Sequence, residues 1–537
     1  MGEQRKALIL LLILILLAVS FLDIKVAKAN SRTLIVPDDY STITNAVGNA
    51  TDGDMICVKK GTYEIKENQK GTPVITGIEI NKTLSIIGED QTNTIIVFPP
   101  DTRTGMALLF SSKVGFRVHA DNFVISNLTI TNCDFGIHVT GNGAQVNNIL
   151  TSSIYLNGNY SKISGNNLTL TSSYPRTLTV KGSFNDIVYN SIFDIQCEGS
   201  FNTLIENSGE QGRIEVTEDS NILAKNYVIE ISLSNANLNT IYNNSVSSIR
   251  LVTCYNNTVS GNVVKGGRTV WGILMASGSG NVFYGNNITD FKGFFTAPTG
   301  EGPYGYGVAI GGYTYIAEKN LFYHNNFVNN YKHVSANWPI LGTGNYWDNG
   351  EEGNYWDDYS GVDSNGDGIG DVPYTVKGLE YVEYEHVETV FGQDRYPLMA
   401  PITVFDAGTW EWTNYNVDII SNSTVSDFSF NPETALIRFN VKGETGTTGF
   451  CRVTIPKDLL DAEDYWTVLV DGNQVTSTVK EEANSTYLYF TYQHSTKTVE
   501  IIGTDAIPEF PSRIILPLFL IATIVVIVYR QIKKKSC

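Results

Sequence analysis

Asparagine recurs in this chain with a period. The sequence holds 50 Asn, 34 of them between residues 120 and 345. They pair five apart in the pattern Asn-x-[aliphatic or aromatic]-x-x-Asn: Asn122/Asn127, Asn185/Asn190, Asn202/Asn207, Asn221/Asn226, Asn239/Asn244, Asn257/Asn262, Asn281/Asn286 and Asn320/Asn325. Weaker copies at Asn142/Asn147 and Ser161/Asn166 fill the early gaps, and units begin 17 to 24 residues apart until the last step, which is 39. A unit of about 20 residues cut into short alternating pieces cannot bury an apolar face alone, so it must stack on its neighbours as a solenoid. Alternate aliphatic residues then point into one core. Asn suits the bends because it tolerates a left-handed backbone, and stacked Asn amides can bond from coil to coil. No L-x-x-L-x-L pattern appears, so a leucine-rich repeat is excluded. The fold class expected is all-β: a right-handed parallel β-helix (solenoid) followed by a small β-sandwich.

Charge excludes one large class of function. Only 17% of residues are charged and the net charge is −18. Residues 1–29 contribute +2 and the tail from Arg513 contributes +5, leaving −25 for the middle. Such a body cannot displace counterions from a phosphate backbone, so no nucleic acid partner is expected.

The basic ends read as topology. Arg5 and Lys6 precede an apolar run from Ala7 to Val19, and Ala27-Lys28-Ala29 forms a small-x-small cleavage pattern, so residues 1–29 are expected to be a signal peptide. Ile514–Tyr529 is almost wholly apolar and, counted from Phe510, the run 510–529 is expected to be long enough to cross a bilayer, with the basic tail 530–537 on the cytoplasmic side. The expected location is the cell surface: a single-pass membrane protein with its body outside. Ten N-x-[ST] sequons fit an external glycoprotein. Five scattered external cysteines, Cys57, Cys133, Cys197, Cys254 and Cys451, read as apolar fillers.

Ahead of the repeats, Thr33–Val36 reads as a strand, Tyr40–Ala50 as an amphipathic helix and Asp52–Tyr63 as a turn and strand. Residues 30–120 are therefore expected to hold the cap and first coils, and 121–400 the Asn-rich helix. This stretch resembles the N-terminal cap of pectin-lyase-like β-helices. The Asn-rich coils resemble the carbohydrate-binding and sugar-hydrolase repeats of NosD-type proteins. Ile507-Pro-Glu-Phe-Pro-Ser512 resembles the Pro-Glu-Phe sorting signals of archaeal surface proteins, which implies an archaeal source.

Near the end of the solenoid, Asn345-Tyr-Trp-Asp348 and Asn354-Tyr-Trp-Asp357 form a near-repeat. Behind them, Asp363, Asn365, Asp367 and Asp371 occupy positions 1, 3, 5 and 9 of a loop, with Gly368 at 6 and the Ile369 carbonyl at 7. That spacing delivers hard oxygens to one centre and is expected to bind calcium in a structural role. Position 12 is Tyr374, so a bidentate ligand must come from Asp357, Asp358 or Asp394. This succession, with Asp394-Arg-Tyr-Pro-Leu-Met399, resembles the C-terminal end of NosD-type surface β-helices.

Catalytic patterns are absent. The coil carboxylates Asp134, Asp186, Asp194, Glu198, Glu206, Glu215 and Asp290 stand singly, and the six His are dispersed. A NosD-like copper maturation role would need soft or imidazole ligands. The 39-residue gap instead holds an insertion rich in aromatic residues, Phe294, Phe295, Tyr304, Tyr306, Tyr313 and Tyr315, whose rings suit the apolar faces of sugars. Residues 402–505 read as short alternating strands of a β-sandwich spacer. The function expected is binding of extracellular polysaccharide or glycoprotein without catalysis. The alternatives are a polysaccharide lyase or glycoside hydrolase and a structural surface-layer or adhesion component.

Overall fold

The computed structural model describes residues 31–65, 74–98, 112–168, 177–292, 305–311, 316–336, 344–382, 385–410 and 413–507. The signal segment and the 510–529 run lie outside them, and among the described residues no helix is long and apolar enough to cross a membrane. The chain divides into two compact units, Met1–Asp194 and Ile195–Cys537, and stacked parallel coils build the greater part of both: the fold is a parallel β-helix.

In the first unit, Thr33–Val36, Met55–Val58, Ser85–Gly88, Val124–Thr131, Gln145–Leu150, Lys162–Ser164 and Asp186–Val188 pair in that order, all parallel. A second parallel sheet runs Val74–Ile80, Ser112–Val118, Phe135–Val139, Ile154–Leu156, Thr177–Val180. The expected cap helix is Ile43–Asn49. Thr42 caps it by accepting from Asn45 N–H, and Ile43, Ala46 and Val47 are buried.

In the second unit the coils from Thr240 onward carry three short strands. Thr240–Tyr242, Ser245–Val246 and Ser248–Val252 stack on Thr258–Ser260, Val263–Lys265 and Trp271–Met275, then on Val282–Tyr284, Asn287–Thr289 and Tyr306–Ile310. One inward residue per short strand, such as Ile241, Val259 and Phe283, fills the core at 0% exposure.

The paired asparagines bracket the first of these strands, which is why they stand five apart. Asn244 shows the pattern. Its Oδ1 accepts from both N–H and Nδ2–H of Asn226, its own N–H and Nδ2–H donate to Asn262 Oδ1, and Nδ2–H also donates to Leu223 O. The same bonds continue from Asn262 through Asn286 and Asn325 to Asn354, and in the companion row from Asn221 through Asn239, Asn257, Asn281 and Asn320 to Asn345. These amides are buried yet satisfied, the condition under which a buried polar network stabilises.

The bend itself is not made by the ladder Asn, contrary to expectation. The residue before each one is left-handed: Lys225 (φ 54), Asn243 (54), Gly261 (62), Gly285 (63) and His324 (56) in one row. Lys225 and Asn243 are exposed there, so the chemistry is permissive, whereas the next position in this row is a buried Asn. Asn122 and Asn127 belong to the outer class, with φ 55 and 58, and Phe123 and Leu128 take the buried places beside them.

Asp394 terminates one ladder. Its Oδ2 accepts from Asn354 N–H and Trp356 Nε1–H, and its Oδ1 from Tyr396 N–H. Burial pushes its carboxyl up to about 7 against these donors.

After Pro401 the architecture changes to two five-stranded antiparallel sheets. One joins Ile402–Trp410, Thr413–Ser421, Thr448–Pro456, Ser485–Gln493 and Ser477–Glu481; the other joins Thr424–Asn431, Leu436–Lys442, Thr496–Ile502, Thr467–Val470 and Asn473–Gln474. Their inner residues, including Val417, Phe439, Cys451, Leu488 and Val499, form one core. The module is tied to the last coils by Asn326, whose amide exchanges two bonds with the Ile402 backbone. A buried ion pair, Arg452 Nη2 to Glu352 Oε1 at 2.6 Å, makes a second tie. Burial alone would raise Glu352, but His324 and Arg452 outweigh it and hold the carboxyl well below its usual range.

Two outcomes follow for stability. Asn244→Ala leaves buried donors on Asn226 without an acceptor and should cost about 2–4 kcal/mol, against a gain of up to about 1 kcal/mol for Lys225→Gly at the left-handed corner, both read by thermal or denaturant unfolding. A carboxyl raised on folding binds its proton more tightly in the native state, so stability should fall as pH rises from about 4, the unfolded value, to about 7. Asp394→Asn should flatten that part of the stability–pH curve.

Candidate functional site

Three consecutive strands of the first unit place a set of side chains outside the core. In Ser112–Val118 the core residues Phe116 and Val118 flank Arg117; in Phe135–Val139, Ile137 and Val139 flank His138; in Ile154–Leu156, Ile154 and Leu156 flank Tyr155. Alternation turns the middle residue of each trio outward. The register makes a row: Glu79 beside Arg117, Arg117 beside His138, His138 beside Tyr155 and Tyr155 beside Thr179.

A cleft of about 270 Å³ opens along this face, lined by Ser112, Val114, Phe135, His138 and Tyr155. The rings meet edge to face, His138 with Tyr155 at 4.4 Å and Phe135 with Tyr155 at 6.3 Å between centroids. Burial, then the nearby charges of Arg117 and His119, push the His138 imidazole down to about 4. It is therefore neutral at pH 7 and able to accept a proton or a hydrogen bond. His119 Nδ1 bonds Thr140 Oγ1 at 2.9 Å, and its Nε2 lies 3.8 Å from Glu79.

No motif search finds this set, because the residues are 21 and 17 positions apart. The signal is the repeat itself. Arg117, His138 and Tyr155 each stand six residues before a corresponding inward position, Phe123, Ala144 and Ser161.

The insertion expected to bind sugars falls largely outside the described residues: Phe294, Phe295, Tyr304, Tyr313 and Tyr315 are not among them. Tyr306 is buried at 5% exposure on a strand between Trp271 and Lys332, where the sequence reading expects an exposed ring.

The loop 363–371 folds around its first carboxylate. Asp363 accepts from the N–H groups of Gly366, Asp367 and Gly368, Asp367 from Ile369 N–H, and Asp371 from Ser364 N–H. Gly366 and Gly368 carry the positive φ values of 69 and 82 that this turn needs. Asp363, Asn365, Asp367 and Asp371 thus sit on one turn and offer only oxygen, which suits a hard cation. The three carboxylates expected to complete the set have other partners. Asp394 ends the ladder. Asp357 Oδ1 and Asp358 Oδ1 lie 3.0 and 3.4 Å from His333 Nε2, and Tyr374 donates its hydroxyl to Asp358.

His333, Asp357 and Asp358 have the spacing of a metal-ligand trio. The hydrogen bonds around the ring argue against that use. Asn330 Oδ1 accepts from Phe291 N–H and its Nδ2 donates to Ile288 O, which fixes the amide with Nδ2 3.4 Å from His333 Nδ1. Nδ1 then carries the lone pair, and the proton on Nε2 faces the two carboxylates.

Among solved structures, the chain resembles the Dettilon tailspike protein (10% identity, 87% of this chain and 93% of that one, TM-score 0.32). It also resembles the A-module of the Azotobacter vinelandii mannuronan C-5 epimerase AlgE4 (12%, 56% and 92%, TM-score 0.36) and the DFA-IIIase of Arthrobacter chlorophenolicus A6 (14%, 63% and 96%, TM-score 0.33). No curated protein matches the chain. Residues 248–361, in the heart of the Asn ladders, match the family model of NosD, described as a periplasmic copper-binding protein.

Proposed function

We propose that the protein is an extracellular β-helix that binds polysaccharide, without catalysis, on the outward face built by Ser112–Val118, Phe135–Val139 and Ile154–Leu156. The observation that carries this reading is the open cleft whose wall is formed by the rings of Phe135, His138 and Tyr155. Aromatic faces and edges match the alternating apolar and hydroxylated surface of a pyranose ring. The absence of paired carboxylates along the row supports binding over hydrolysis, since Glu79 is its one acidic member among the described residues. Tyr155→Ala should weaken binding of a recognised oligosaccharide at least about tenfold by titration calorimetry, a cost of about 1.4 kcal/mol, with the melting temperature unchanged. A glycan array with no hit would favour a structural surface role instead.

Lyase chemistry is the second reading, favoured by a neutral His138 beside Arg117 and Tyr155, groups suited to taking up a proton near an anion. New chain ends released from a polysaccharide by the protein, and not by His138→Ala, would establish it over simple binding.

Copper delivery has less support in the matched stretch. Cys254 is buried with its thiol pushed up, His324 is engaged by Glu352 at 2.6 Å, and His333 turns its protonated nitrogen to carboxylates. These donors are already committed to hydrogen bonds and offer copper no soft, open ligand set.

Under this proposal the body stands outside the cell, delivered by the 1–29 signal and held by the 510–529 span, with residues 402–505 as a spacer. Calcium at 363–371 would be structural. Millimolar calcium should then raise the melting temperature, a chelator should reverse this, and Asp367→Ala should abolish the response; a melting temperature indifferent to calcium would remove the ion from the account.

A further inference from the structure

The polysaccharide reading leaves open what charge the ligand carries. The chain as a whole is strongly acidic, at −18, so a cationic patch on it needs a reason. The outward row supplies one guanidinium, Arg117, in register between Glu79 and the cleft-lining His138. Among the described residues Arg117 forms no ion pair, although Glu79 is its neighbour; Glu79 lies 3.8 Å from His119 Nε2 instead. Arg117 Nε is shielded from solvent and has no hydrogen-bond acceptor among the described residues. A shielded N–H without an acceptor costs about 1–3 kcal/mol, more on a charged group, so such a donor is kept where an acceptor arrives from elsewhere. The nearby carboxylate of Asp134 is taken up by Lys113 N–H at 2.7 Å.

We propose that this face selects an anionic saccharide, with Arg117 taking the carboxylate or sulfate group in a forked bond while Tyr155 and Phe135 carry the sugar ring. The inference rests on the polysaccharide reading and adds the ligand's charge to it. A guanidinium suits both anions because its fork matches two coplanar oxygens, and a lysine at the same place would supply charge without that geometry. Since one residue of the row comes from each coil, successive sugars would follow the row from Glu79 toward Thr179. Glu79, 52% exposed, would then tune affinity by repelling the anion.

Calorimetric titration of the full-length protein tests this with three ligands of one backbone: a neutral glucose hexasaccharide, its form oxidised to the uronate, and its sulfated form. The expected result is that at least one charged form binds about tenfold or more tighter than the neutral one, a difference of about 1.4 kcal/mol. Which charged form wins identifies the anion. Arg117→Gln should erase that preference, Arg117→Lys should restore part of it, and Glu79→Gln should strengthen charged binding, which keeps the test open should the Arg117 variants fold poorly. Added salt should weaken charged binding only. Equal affinity for neutral and charged forms, or a preference that survives Arg117→Gln, overturns the inference and leaves the polysaccharide reading standing. Failure of the wild type to bind any of the three, with no hit on a wider array, overturns both.

Discussion

The solenoid depends on a hydrogen bond that repeats once per coil. In the row from Asn226 to Asn325 each Asn accepts from the backbone and side chain of the Asn one coil before and donates both groups to the Asn one coil after. A corner of polypeptide leaves backbone N–H and C=O groups without strand partners, and in a buried corner these would be costly. The amide side chain, with one acceptor and two donors in a plane, satisfies the corner and passes the pattern on. Aspartate offers no donor and serves only where the row stops, as Asp394 does below Asn354.

That ladder also sets where chemistry can be placed. With corners pinned, every coil presents the same positions to solvent, so a residue a fixed distance from the corner lies beside its equivalents from neighbouring coils. Arg117, His138 and Tyr155 form such a row in the early coils, where Phe123, Ala144 and Ser161 stand at the inward places and parallel pairing sets the register, and the left-handed corner residues form another. The row is assembled by register alone. At the other end of the chain the same economy is abandoned. Asn326 bonds the Ile402 backbone and Glu352 is held by Arg452 and His324, so the two-sheet module is tied to the last coils through groups that would be expensive to leave unpaired.

Much of the fold was legible because its period is short and its key residue is chemically singular. The solenoid, the cap helix and the later strands of the module all announce themselves by spacing and alternation. Within the module, Ile402–Trp410 and Thr424–Asn431 announce themselves least, because few of their residues reach the core. The handedness of the corners was misassigned by one residue, since outer Asn such as Asn122 and buried ladder Asn such as Asn221 look alike in a string of letters and differ only in which way the backbone turns. The loop at 363–371 was visible as a turn, but the carboxylates expected to complete it are bound to His333 and to the ladder end.

By itself the sequence determined that the chain must coil and where the coils begin, because periodicity is a property of the string. Only the tertiary structure decided which side chains meet. Residues 21 and 17 apart become neighbours on adjoining strands through parallel pairing, and an arginine that reads as ordinary in the sequence proves to hold a shielded donor beside the cleft-lining His138. Parallel stacking turns a distance along the chain into a contact across it, and that step cannot be taken until the register is known.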